Sequence, residues 1–136
     1  MSSKGICADT HAVIWCFNEP ERLSRIALEV LRSELDSGGA IHISAITLVE
    51  LTFAVERGRI PASVRDRILS ESRSTEPTVI VRSLDAEVAE SLSRIPRSAI
   101  PEMPDRIIAA TVPALSLPLV TRDQRIRESG VVTTVW

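Results

Sequence analysis

The sequence predicts an α/β fold in three layers, an α/β/α sandwich whose central, mostly parallel sheet lies between helices. Three observations predict it. Short runs of strand-forming residues alternate with longer stretches at helical spacing, the pattern that produces crossover units and a parallel sheet. Two of those runs hand over to an acid, in Gly5-Ile6-Cys7-Ala8-Asp9 and Pro118-Leu119-Val120-Thr121-Arg122-Asp123, and the carboxyl ends of strands in open α/β sheets form the crevice where ligands bind. The 136-residue length suits one domain, residues 1–136, with no linker or internal repeat, and a chain of that size buries about two-thirds of its unfolded surface.

Taken in order, the first strand ends on Asp9, and residues 10–17 read as a helix with apolar residues on every side. Either the fold covers that helix completely or part of it meets a partner. Glu19-Pro20-Glu21 ends it. Ser24 caps a second helix with Ile26, Ala27, Val30, Leu31 and Leu35 at helical spacing, stopped by Asp36-Ser37-Gly38-Gly39. Residues 41–44 form a strand carrying His42, a surface or satisfied core residue rather than a ligand. The helix over residues 45–55 ends near Arg57-Gly58, and another runs from Pro61 to about Ser74. Residues 78–81 are a third strand, and Asp85 caps a helix over residues 86–94. A proline-rich loop leads to Pro104, which suits the first turn of a helix. Residues 118–121 are a buried strand, residues 125–128 a short helix, and residues 131–135 the last strand.

Composition narrows the functional classes. Hydrophobic residues make up 44% and charged residues 25%, the balance of a folded soluble chain. A net charge of −2 argues neither for nor against nucleic acid. The basic side chains are fifteen Arg and one Lys, Lys4. That bias suits bidentate phosphate binding, and a GC-rich genome would produce it as well. Cys7 and Cys16 lack zinc-ligand spacing and read as core residues in a reducing cytoplasm. The polar residues 1–4 run straight into the first strand, without the form of a signal peptide, and no apolar run approaches membrane-spanning length. A cytoplasmic protein without membrane contact is the expectation.

Four carboxylates carry the chemical argument. Asp9 and Asp123 follow strands, Asp105 opens a helix, and Glu50 interrupts the apolar helix Ile46-Thr47-Leu48-Val49-Glu50-Leu51. Each Asp has an ordinary alternative as a helix cap or dipole partner. Glu50 has none of that kind: it lies either on a narrow solvent stripe with Thr47 and Arg57, or inside, where it must be paired, neutralised or bound to a cation. If all four converge, their repulsion raises their pKa values unless a cation binds. An all-oxygen donor set selects Mg²⁺, with Mn²⁺ as a substitute. Such a site suits phosphodiester hydrolysis by an activated water. Thr10 and Thr121 are in position to hold the carboxylates, and Arg57, Arg59, Arg122 and Arg125 are candidate phosphate contacts.

These residues resemble a known family. Ile-Cys-Ala-Asp-Thr near the N-terminus, Leu-Val-Glu-Leu on the third helix, Pro-Asp-Arg-Ile-Ile-Ala-Ala-Thr and Leu-Pro-Leu-Val-Thr-Arg-Asp resemble a PIN domain. More narrowly, the chain looks like the ribonuclease toxin of a VapBC-type toxin–antitoxin pair. The likeness covers the whole chain in order, and residues 103–123 are its most specific part. It implies an acidic Mg²⁺ site of Asp9, Glu50, Asp105 and Asp123, with Thr121 in support. It also implies RNA cleavage, a homodimer, and a VapB-like antitoxin that covers the site and apolar grooves on the helices. Two positions depart from the family pattern. Pro113 falls within the helix after Asp105, which it should shorten or kink, and Ser116 stands where Gly often ends that helix. Two other readings stay open: a catalytically silent PIN-like module that binds RNA or protein, and a phosphoacceptor receiver domain, against which stands the absence of any Lys after Lys4.

Overall fold

The computed structural model describes residues 5–136; the polar stretch 1–4, read above as leading straight into the first strand, lies outside them. Five strands, β1 (Ile6–Ala8), β2 (Ile41–Ser44), β3 (Val79–Arg82), β4 (Leu119–Val120) and β5 (Thr134–Val135), form one sheet in the order β3-β2-β1-β4-β5. Every pairing is parallel, with Ile6 opposite Ile41 and Ala8 opposite Val120 in register. The sheet is therefore all parallel, flanked by helices as the alternating pattern predicts.

Local signals explain most helix starts. In α1 (Thr10–Asn18) the Asp9 carboxylate accepts from the Ala12 N–H at 2.9 Å, and in α2 (Arg25–Asp36) the Ser24 hydroxyl accepts from Ala27. Ser44 begins α3 (Ala45–Glu56) in the same way, and Asp85 begins α5 (Ala86–Ser91). Pro61 precedes α4 (Ala62–Ser72), and Pro104 lies in the first turn of α6 (Met103–Thr111). Asp123 caps α7 (Gln124–Glu128). Such caps are each worth about 1 kcal/mol. Among the described residues no helix is long and apolar enough to cross a membrane.

Side-chain alternation along β1 feeds two cores. Ile6 and Ala8 join α1, α2 and α4 through Val13, Leu31 and Ile68 on one face. Cys7 joins Ile107, Ile108 and Ala109 of α6, with Ile95 and Ile100 of the preceding loop, on the other. The α3 helix serves both, Ile46 packing on the α6 side and Leu51 on the α1 side. Burial pushes the Cys7 thiol up to about 11, with Arg82 partly opposing it, so it stays a neutral core group. The fold itself accounts for most of the all-apolar α1: Ala12 to Trp15 are buried, while Cys16 and Phe17 are half-buried.

His42 is a satisfied core residue. Arg82 Nε donates to its Nδ1 at 3.0 Å, which requires that nitrogen to be unprotonated, and burial and then the Arg82 charge lower its pKa. The same ring dictates Gly5. That residue has φ of +90°, and a Cβ there would lie 2.6 Å from His42 Nε2.

Several boundaries differ from the sequence expectation. The last strand is Thr134–Val135 rather than residues 131–135: Gly130 turns the chain at φ +71°, and Val131 and Val132 satisfy their apolarity by packing on the α6 core instead of in a ladder. Ile26, one of the apolar residues at helical spacing in α2, is 57% exposed, and Ala27 and Leu31 carry the packing. The helix after Asp85 stops at Ser91 and continues as a 3₁₀ turn, Leu92–Arg94. Pro113 shortens α6 as expected: the helix ends at Thr111, Pro113 opens a 3₁₀ turn, and Ser116 takes the left-handed conformation (φ 53°) that glycine adopts more readily.

A half-buried arginine fixes the long loop before α6. Arg106 Nη2 donates to the carbonyls of Leu92 and Ile95 at 2.8 and 2.9 Å. Charged hydrogen bonds of this kind are worth about 1.5–3 kcal/mol each. An Arg106→Met protein is expected to lose about 2–3 kcal/mol in urea denaturation. A loss within about 0.5 kcal/mol, the range of ordinary surface changes, would show that the loop is held by its apolar contacts alone.

Candidate active site

The strand order places a switch point beside β1. From β1 the chain builds outward through β2 to β3 on one side, then returns to add β4 and β5 on the other. Helices leaving adjacent strands at such a point diverge and open a crevice at the carboxyl edge. A cleft of about 890 Å³ occupies that position, lined by Asp9, Thr10, Glu50, Asp105, Arg122 and Asp123 among others. All four carboxylates expected from the sequence thus share one cleft.

Each acid is held differently. Asp9 is 5% exposed; one carboxylate oxygen accepts from the Ala12 N–H and the other from the Thr121 hydroxyl. The cap reading of Asp9 is therefore correct, and each oxygen accepts only one of these bonds. Thr121 is fully buried and works twice, since its hydroxyl oxygen also accepts from the Asp123 N–H at 3.0 Å. Glu50 is half-buried, its Oε1 accepting from the Thr10 hydroxyl at 2.6 Å. Thr10 Oγ1 lies 3.0 Å from Thr47 Oγ1. Since the Thr10 proton goes to Glu50, Thr47 supplies the donor, making a chain from Thr47 through Thr10 to Glu50. Neither sequence alternative for Glu50 is complete: Thr47 is fully buried rather than on a solvent stripe, and the exposed positions beside Glu50 are Val49 and Phe53. Asp105 lies in the first turn of α6, where the helix dipole favours an anion, and no side-chain hydrogen bond to its carboxylate is present among the described residues.

Electrostatics record the convergence. Asp105 is pushed up to about 7, first by burial and then by the charges of Asp123, Asp9, Glu50 and Glu102. Burial likewise raises Asp9, against its bonds from Thr121 and Ala12, and Asp123 adds to the rise. These are carboxylates short of positive charge. Among the described residues no three His, Cys, Asp or Glu side chains are drawn tightly enough together to form a ready-made cage for a metal. The donor set itself, four carboxylates and two hydroxyls, is one that hard divalent cations accept. Mg²⁺ in particular keeps several waters and takes only one or two carboxylates directly, so a shared cleft suffices.

The cleft also contains residues that sequence reasoning missed. Arg57, Arg59 and Arg122 line it as expected; Arg125 does not, because α7 begins at Gln124 and turns residue 125 outward to solvent. Arg22, His11, Trp15, Phe53 and Gln124 line it without having been singled out. Arg22 stands in a 3₁₀ turn, Pro20–Arg22, that reads in sequence only as a helix stop, so no local signal marks it.

Comparison with known proteins agrees with this geometry. Ribonuclease VapC22 of Mycobacterium tuberculosis is 28% identical over 133 residues, spanning 96% of this chain and 98% of that protein. The structure of VapBC2 from Rickettsia felis bound to a DNA fragment from their promoter superposes with a TM-score of 0.71 at 14% identity, over 96% of this chain and 97% of that one; at that identity the likeness concerns the fold. FitAcB from Neisseria gonorrhoeae gives 0.60 at 27% identity, over 96% of both chains. The PIN domain family model matches residues 6–131, a span that takes in all five strands except the last and every one of the four acids. Fold, acidic cleft and family match lead to one assignment: this chain is a member of the PIN domain family.

Proposed function

We propose that this protein is a metal-dependent endoribonuclease, the toxin of a VapBC-type pair, acting through a single domain over residues 1–136. The observation that carries the reading is the meeting of Asp9, Glu50, Asp105 and Asp123 in one cleft at the switch point. Asp9, Asp105 and Asp123 would hold Mg²⁺ or Mn²⁺, directly or through water. The chemistry such an ion supplies when bound is Lewis acidity, which makes water a nucleophile near neutral pH and offsets phosphate charge. The protein's own groups do the rest. Thr121 fixes Asp9 and the Asp123 backbone, Thr10 fixes Glu50, and the free Glu50 oxygen either completes the shell or takes the proton of the attacking water. In-line attack by water, with the P–O3′ bond breaking and the 3′-oxygen leaving as the hydroxyl, gives a 5′-phosphate and a 3′-hydroxyl.

The partner reading has separate support. The structural neighbours include VapBC2 of Rickettsia felis and a toxin–antitoxin complex from Klebsiella pneumoniae, and Val49 and Phe53, one turn apart on α3, are exposed at 46% and 51%, apolar surface of a kind that suits a protein partner. A VapB-like antitoxin and a second copy of the chain are the partners proposed, in the cytoplasm. Purified protein incubated with RNA should cut it in Mg²⁺ or Mn²⁺, stop in EDTA, and leave 5′-phosphate ends. A cation at about a hundred times its Kd should also add about 2.7 kcal/mol of stability, readable as a rise in Tm. Cleavage undiminished by EDTA, or products with cyclic phosphate ends, would overturn the reading.

A further inference from the structure

The cleft holds its positive charge in an unusual way. Arg122 and Arg57 make no ion pair among the described residues, and Arg22 has only a contact to Glu19 at 3.9 Å, although Glu19 and Glu102 line the cleft beside the four acids already described. The arginines are instead laid over aromatic rings. The guanidinium carbons of Arg22 and Arg122 stand 4.8 and 5.4 Å from the centroid of Trp15, and that of Arg57 stands 5.8 Å from Phe53. Trp15 is itself immobilised, 6% exposed and packed on Trp136 with ring centroids 6.1 Å apart.

Stacking uses the face of a guanidinium and leaves its edge of N–H donors free, whereas pairing with a carboxylate uses the edge. Arginines held over an aromatic ring rather than in an ion pair keep their N–H donors available to take phosphate oxygens in a bidentate fashion. We infer that Trp15 is a positioning residue that presents the edges of Arg22 and Arg122 to the phosphates of single-stranded RNA flanking the one delivered to the acids. The inference rests on the nuclease reading for the identity of the polymer. Burial of Asp9 at the cleft floor favours a single strand, because a phosphate can descend to it only from a backbone free to bend away from a duplex.

Two measurements test this. Anisotropy of a fluorescein-labelled, mixed-sequence single-stranded RNA in EDTA reads binding without cleavage, and initial rates in Mn²⁺ read KM and kcat. Arg22→Gln and Arg122→Gln should each weaken binding about three- to tenfold and reduce the slope of log K against log salt by about 0.7, the value for one phosphate contact on a single strand. KM should rise while kcat holds. Arg22→Lys and Arg122→Lys should each restore the salt slope but only part of the affinity. Trp15→Leu, which keeps both charges, should weaken binding with the slope intact; if that variant does not fold, the lysine variants carry the same distinction. Arg25→Gln, on the exposed surface of α2, is the control and should bind like the parent.

Glutamine variants that bind like the parent would overturn the inference, as would lysine variants that match arginine in affinity or a duplex probe that binds as well as a single strand. The two readings fail separately. A parent that binds RNA through these arginines without cutting it sinks the nuclease reading alone. A parent that cuts RNA with KM unaffected by either glutamine sinks this one alone. A parent that neither binds nor cuts sinks both.

Discussion

An Asp105→Asn protein should lose RNA cleavage by about a thousandfold and yet unfold at a higher temperature than its parent. The two effects have one cause. Asp105 has its carboxyl raised to about 7 by burial and by the other three acids of the cleft together with Glu102, against about 3.9 in an unfolded chain. A folded pKa above the unfolded value means that the native state binds more protons between those limits. Stability from this group is thus full below about pH 4 and is lost as pH rises through 7. Asparagine does not titrate, so the variant's advantage should be absent near pH 4, grow through the window and level off above 7. Because Asp105 is only half-buried, solvent screening reduces the gain to about 1–2 kcal/mol, or about 3–8 °C in Tm. Thermal denaturation of both proteins at several pH values, without divalent cation, checks it. A variant less stable than its parent at pH 8 would show that the carboxylate serves the fold rather than burdening it.

Thr121→Val should be the most damaging change that removes no charge. Valine matches threonine in shape, but the substitution removes the donor to Asp9 and the acceptor of the Asp123 N–H together. Depriving a buried carboxylate of its partner costs about 2–3 kcal/mol, and losing the support behind two acids should cut cleavage about 10- to 100-fold. The Thr121 bond opposes the burial that raises Asp9. Without it the Asp9 carboxyl rises further, so the stability deficit should be larger at pH 8 than at pH 4. Thr121→Ser, which keeps the hydroxyl, should recover most of both losses. Equal deficits for valine and serine would assign the effect to packing.

How far these features can be read from sequence depends on how local their causes are. Ser24, Asp85 and Asp123 announce helix starts because a cap acts within three residues, and the structure places helices after each. Pro113 announces a stop for the same reason. The Asp residues after β1 and β4 could be put at one edge of a parallel sheet from the alternation of elements alone. Glu50 was harder, because periodicity says which face a residue occupies but not that two threonines, one on another helix, will support it there. Val131 and Val132 misled because apolar β-branched residues serve a packed bend as well as a strand. Arg22 was invisible. Its position depends on where a 3₁₀ turn lays it across Trp15, a tertiary fact with no periodic trace.

The bond between Thr121 and Asp9 joins positions 112 residues apart, and this has a consequence for how such a protein is made. A ribosome that has released residues 1–100 has produced β1, Asp9 and Glu50, but neither Asp105 nor the strand that carries Thr121 to the cleft. The first acid to be synthesised waits for nearly the last part of the sheet before its second oxygen has a donor. No chain that stops short of Asp123 can hold the complete acidic cleft, so the proposed site assembles only after β4 and the residues that follow it have been made. The topology thus sets the order of assembly, with Asp9 made first and its Thr121 donor supplied more than a hundred residues later.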